Sequence, residues 1–177
     1  TNIYTGMRRT TFGNVVTTTN QQVGVRGNIF SRQFGFFFVC RFGFDSIKTG
    51  MRAFVGLHSN SAAAVTTNPS LGTNTVGFGF DLGDTAWTFM RNDAAGIATK
   101  TAIAGQGTLE TNGVGYDAYI YCAPNDTKIY YRLDRVDTAV TTLCDTYVTD
   151  SLPAQSIALQ SVCAMSNGPA NIVANDA

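Results

Sequence analysis

The sequence predicts an all-β domain, a two-sheet antiparallel β-sandwich of the jelly-roll kind. Thr, Phe, Tyr and Val, which suit a pleated surface, alternate with Gly, Asn and Asp, which suit turns. No amphipathic helix of useful length appears, because the Ala-rich stretch from Ser61 to Val65 is closed by Thr66, Thr67 and Pro69. Strand signals recur instead, with turn residues between them, at the spacing of a sandwich.

In chain order the expected strands are Arg8–Thr18, Phe34–Phe44, Met51–Leu57, Thr75–Asp81, Ala86–Arg91, Tyr116–Cys122, Lys128–Arg135 and Ser156–Met165. The second is the longest apolar stretch, yet Gly35, Arg41 and Gly43 interrupt it and it is far too short to span a bilayer. Between the fourth and fifth, Leu82-Gly83-Asp84-Thr85 has the composition of a hairpin turn. Gly77 and Gly79 alternate with Val76, Phe78 and Phe80 and precede another strand. They therefore mark a bend or close strand packing, since a phosphate loop requires a following helix.

One hairpin can be registered from its pattern. In Tyr116–Cys122 the even positions are Tyr116, Ala118, Ile120 and Cys122, and the odd ones Asp117, Tyr119 and Tyr121. After Pro124-Asn125-Asp126-Thr127, the odd positions are Ile129, Tyr131 and Leu133, and the even ones Lys128, Tyr130, Arg132 and Asp134. A two- or four-residue turn pairs Tyr121 with Tyr130, Tyr119 with Arg132 and Ile120 with Tyr131. One face is then apolar, and the other carries three tyrosines and an arginine, the composition of an interface hot spot.

Composition narrows the function. The 177 residues suit one domain, 1–177, with 44% hydrophobic and 11% aromatic residues to fill its core. Only 14% are charged, so Thr, Asn, Ser and Gly carry the solubility. Twelve basic and twelve acidic residues balance to a formal net charge of zero, without the positive stripe that nucleic-acid binding needs. The chain begins at Thr1 with no charged-then-apolar leader, which suggests a processed product or a piece of a longer polypeptide or assembly. Cys40, Cys122, Cys144 and Cys163 are widely spaced and are expected as free thiols, Cys40 and Cys122 in phase with apolar neighbours.

Catalytic chemistry is sparse. The single histidine, His58, follows a strand as an ordinary polar loop residue with no second ligand nearby for zinc. No G-x-S-x-G elbow presents a serine, and the single glutamate, Glu110, has no partner carboxylate for glycoside hydrolysis. The expectation is therefore a non-enzyme without a cofactor. Asp81, Asp84, Asn92 and Asp93 flank neighbouring turns and are calcium-ligand candidates, although all four are equally good turn formers. Trp87, in phase with Phe89, is either a core aromatic or a sugar-stacking platform. Tyr119, Tyr121, Tyr130, Arg132 and Trp87 are the candidate contacts for a partner or a glycan.

An ordered set of short motifs resembles a domain of bacteriophage virion proteins. It runs through Met7-Arg8-Arg9, Gly35-Phe36-Phe37-Phe38, Arg52-Ala53-Phe54-Val55-Gly56-Leu57, Gly77-Phe78-Gly79-Phe80-Asp81, and Trp87-Thr88-Phe89-Met90-Arg91-Asn92-Asp93. It continues through Ala123-Pro124-Asn125-Asp126, Tyr131-Arg132-Leu133-Asp134-Arg135, Leu152-Pro153 and Met165-Ser166-Asn167-Gly168. The resemblance implies a concanavalin-like sandwich from a tail fibre, appendage or capsid decoration, located in the virion and acting in assembly or host attachment. Its expected partners are other virion proteins or copies of itself, with a cell-surface glycan as the alternative in a lectin-like module; a sandwich-fold glycoside hydrolase is the third reading. The resemblance also implies a further apolar strand after Asn167-Gly168, where this chain has only Ile172-Val173 before Ala177. No functional residues carry over from it.

Overall fold

A computed structural model describes residues 21–44, 47, 51–59, 68–94, 96–104, 109, 114–136 and 139–167. The expected strand Arg8–Thr18, the Ala-rich stretch, Glu110 and the segment after Asn167 lie outside them. Ten strands run through the described residues: β1 (Gln21–Phe30), β2 (Phe36–Gly43), β3 (Met51–His58), β4 (Thr75–Phe80), β5 (Thr88–Asn92), β6 (Thr99–Ala102), β7 (Gly115–Cys122), β8 (Ile129–Val136), β9 (Val140–Val148) and β10 (Leu159–Asn167). They form a six-stranded sheet in the order β1-β10-β3-β4-β5-β6 and a four-stranded sheet in the order β2-β7-β8-β9. Every pairing is antiparallel. The protein is a β-sandwich, as its composition predicts.

Seven of the expected strands correspond to β2, β3, β4, β5, β7, β8 and β10, with ends displaced by a few residues. The three unanticipated strands, β1, β6 and β9, are all sheet edges. An edge strand pairs on one side only and need not alternate cleanly. β9 is exposed or half-exposed over Val140–Asp145 and exposed through Tyr147, so no apolar phase marks it.

The core lies between the sheets. Phe36, Phe38 and Phe42 of β2, Ala118, Ile120 and Cys122 of β7, and Ile129, Tyr131 and Leu133 of β8 face Val55, Leu57, Val76, Phe78 and Phe89 of the larger sheet. Tyr131 stacks on Phe89 with ring centroids 3.7 Å apart and meets Phe78 edge-on at 6.0 Å, joining the two layers. β3 and β4 are buried on both faces. On the far side of the larger sheet Phe54, Met90, Ala98, Val162 and Ala164 make a second apolar cluster. Gly77 belongs to this packing, because a Cβ there would lie 2.6 Å from both the Phe54 ring and the Val55 carbonyl oxygen. The alternating glycines thus serve close strand packing, as expected.

The registered hairpin forms as its pattern requires. Tyr121 pairs with Tyr130, Ile120 with Tyr131 and Tyr119 with Arg132. The link runs over Ala123–Lys128. Asp126 N–H donates to the Ala123 carbonyl and Lys128 N–H to the Asp126 carboxylate, both at 3.1 Å, while Asn125 takes the left-handed conformation (φ 55°) that asparagine tolerates.

Candidate functional site

The outer face of the four-stranded sheet gathers the chemistry. Its strands supply outward residues at every second position, and the register aligns them in rows across the sheet. In one row Phe37 pairs with Tyr121, Tyr121 with Tyr130 and Tyr130 with Tyr147. This places one aromatic ring from each of the four strands in a single line. Ring centroids are 6.3, 6.0 and 5.6 Å apart along it. All four rings are substantially exposed, from 38% at Tyr130 to 63% at Phe37. The next row is Val39, Tyr119, Arg132 and Asp145, and the row after it contains Arg41, Asp117, Asp134 and Thr142.

The charged groups beside the aromatic row neutralise one another. Arg41 donates to both oxygens of Asp117, Nε to Oδ1 and Nη2 to Oδ2, each at 2.5 Å. Arg132 Nε donates to Asp134 at 2.9 Å, its Nη2 reaches the Thr142 hydroxyl at 3.1 Å, and its Nη1 lies 3.5 Å from Asp145. These carboxylates raise the pKa of each guanidinium, so both stay cationic. Lys128 places its ammonium 4.5 Å from the Tyr147 ring centroid, a cation–π contact. Burial, with Asp117 and Asp134 nearby, raises the Tyr119 pKa and keeps it a neutral phenol. A groove of about 390 Å³ opens here, lined by Phe37, Tyr119, Tyr121, Tyr130, Arg132 and Asp145.

The structure thus brings four of the five sequence-nominated contacts, Tyr119, Tyr121, Tyr130 and Arg132, onto one face. Trp87 is not with them. It is fully buried among Phe42, Phe80, Phe44 and Tyr116, with centroids 4.9–5.9 Å away, and offers no ring face to a sugar or partner. Sequence reasoning missed Phe37 and Tyr147. The first was hidden in the apolar run Phe36–Cys40 and the second in an edge strand, and the outward phase of β2, opposite Phe36 and Phe38, was the one available signal.

The calcium candidates divide. Asp81 and Asp84 do converge, but on the Lys100 ammonium, 2.5 and 2.6 Å away, while Asp81 also accepts from Ser70 N–H and Asp84 from Asp81 N–H. Asn92 turns elsewhere, donating to the carbonyls of Gly72 and Gly96. Asp93 is exposed. Among the described residues no cluster of three or more His, Cys, Asp or Glu is arranged to hold a metal ion.

His58 is not the ordinary loop polar residue its position suggested: it ends β3 and is 2% exposed, edge-on to Phe54. Burial lowers its pKa to about 4. The four cysteines carry no disulfide. Among the described residues no helix is long and apolar enough to cross a membrane. No family model, curated protein or solved structure matches the chain.

Proposed function

We propose that the chain is a non-catalytic structural module of a virion appendage, of the tail-fibre or capsid-decoration type. It acts in assembly or host attachment through the outer face of its four-stranded sheet. The observation that carries this reading is the row of four exposed rings, Phe37, Tyr121, Tyr130 and Tyr147, one from each strand. Rings contribute little to folding when left wet, and gain most when a partner covers them. The ordered motifs from Met7 to Gly168 supply the virion context.

The chemistry around the row favours contact over catalysis. Asp117 and Asp134 on this face are engaged by guanidiniums, and His58 is sealed into the opposite sheet. The test is Tyr121→Ala combined with Tyr130→Ala in the full-length protein. Each lost ring removes about 1–2 kcal/mol of contact, so association falls at least about tenfold. The readouts are sedimentation of the purified protein, incorporation into particles and adsorption of particles to host cells. Unchanged association in all three assays overturns the reading.

A further inference from the structure

The geometry points to a neutral oligosaccharide as the ligand of the groove between Tyr119, Tyr121, Tyr130 and Arg132. The inference rests on the reading that this face is the contact surface, and goes beyond it by naming what the face binds. Three observations converge on that ligand class.

The first is the pairing of apolar and polar groups at one depth. Sugar rings present C–H faces that pack on aromatic rings and hydroxyls that hydrogen-bond in the ring plane. The aromatic row supplies the first kind of partner and the adjacent row the second, through the Tyr119 hydroxyl, the Arg132 guanidinium and the Asp145 carboxylate. Asp145 holds Arg132 only at 3.5 Å and its side chain is 65% exposed, so its oxygens are open to hydroxyl donors.

The second is charge. Three cations, Arg41, Lys128 and Arg132, lie beside three carboxylates, Asp117, Asp134 and Asp145. The two guanidiniums are held by carboxylates, and the ammonium lies over a ring. A strand of nucleic acid or an acidic polysaccharide needs an excess of cations along its path, and this face has none.

The third is size and shape. A groove of about 390 Å³ is within the range of small-ligand sites. The row crosses four strands, about 14 Å at the usual strand spacing, which accommodates more than one sugar ring.

The experiment uses the full chain on an array of neutral and acidic oligosaccharides. It is followed by affinity electrophoresis in gels containing dextran, mannan, a mixed-linkage β-glucan or alginate. Wild type should be retarded by at least one neutral probe, with retention unchanged by added salt. Tyr121→Ala with Tyr130→Ala should weaken that binding at least about tenfold. Phe37→Ala, an exposed ring of the groove lining on edge strand β2, reports the same loss if the double variant folds poorly. Retention by alginate alone, abolished by salt, overturns the neutral-sugar inference. Binding by none of the neutral probes overturns it too, and if the tyrosine variants still lose particle association, the face stands as a protein interface. A neutral probe bound equally by wild type and all variants overturns both the inference and the placement of the contact surface.

Discussion

At the scale of single residues, His58 contributes to the response to acid. Burial beside Phe54 lowers its pKa to about 4 from an ordinary 6.5. Between those values the unfolded chain binds a proton that the native state refuses, so stability rises with pH across the window. It is fully present above about 6.5 and drains away toward about 4, a loss of up to about 3 kcal/mol. Asp150, whose pKa is lowered by its hydrogen bond to Arg91, adds to the loss at the acid end. Melting curves at about pH 7.5 and about pH 4.5 should show the drop, and His58→Gln should flatten it. The thiols give a second residue-level expectation. Cys40 of β2 and Cys163 of β10 lie against each other between the two sheets, and their interaction lowers the pKa of Cys40 and raises that of Cys163. Burial raises Cys144 to about 11. Denatured, unreduced protein should titrate four thiols with a disulfide reagent. After incubation of the folded protein with oxidised glutathione, any new intramolecular bridge should map to Cys40 and Cys163. A bridge found elsewhere contradicts the pairing.

At the scale of elements, the hairpin of β7 and β8 separates stability from binding. Ile120 and Leu133 are fully buried between the sheets, whereas Tyr121 and Tyr130 face outward. Ile120→Ala and Leu133→Ala should each cost about 2–5 kcal/mol of folding free energy by emptying the core. The Tyr121→Ala, Tyr130→Ala pair should lower the melting temperature less than either. The reverse order would mean that the two faces are inverted. The close contact of β4 with β3 gives a sharper test. A methyl at Gly77 meets the Phe54 ring, the Val55 oxygen and the Gly56 Cα, all within 2.8 Å. Two of these are backbone atoms that cannot turn aside. Gly77→Ala should therefore destabilise by about 1–3 kcal/mol, read from urea unfolding.

At the scale of the molecule, two arginines tie distant segments together. Arg32, 7% exposed, donates to the Pro153 carbonyl at 2.6 Å and the Asp126 carbonyl at 2.7 Å. It fastens the β1–β2 link to the β7–β8 turn and to the segment leading into β10. Arg91 on β5 reaches Asp150 with a forked contact at 2.9 Å, bridging the larger sheet to the end of the smaller one. Arg32→Met keeps the aliphatic stem and strands two carbonyls, so it should lower stability by about 2–4 kcal/mol. Because Arg32 is buried and does not line the groove, the folded variant should bind its partner with unaltered affinity. A loss of affinity without a loss of stability would place Arg32 in the contact surface.

What the sequence by itself determined was phase. A period of two assigns Ile120, Tyr131 and Leu133 to one side of the hairpin and Tyr119, Tyr121, Tyr130 and Arg132 to the other, and steric alternation holds whatever the neighbours are. The turn chemistry of Asn125 and Asp126 then set the register of adjacent strands. Most of the strands and half of the aromatic row were legible for that reason. Tertiary structure alone decided the rest, since lateral neighbours and the covering of a face depend on contacts remote in sequence. Phe37 and Tyr147 complete the row because β2 lies beside β7 and β9 beside β8. Trp87 is in phase with Phe89, but only the arrival of Phe42 and Tyr116 from the other sheet makes it core. Asp81 and Asp84 resemble cation ligands until β6 delivers Lys100 between them. Local periodicity orients a side chain; long-range pairing decides what it meets.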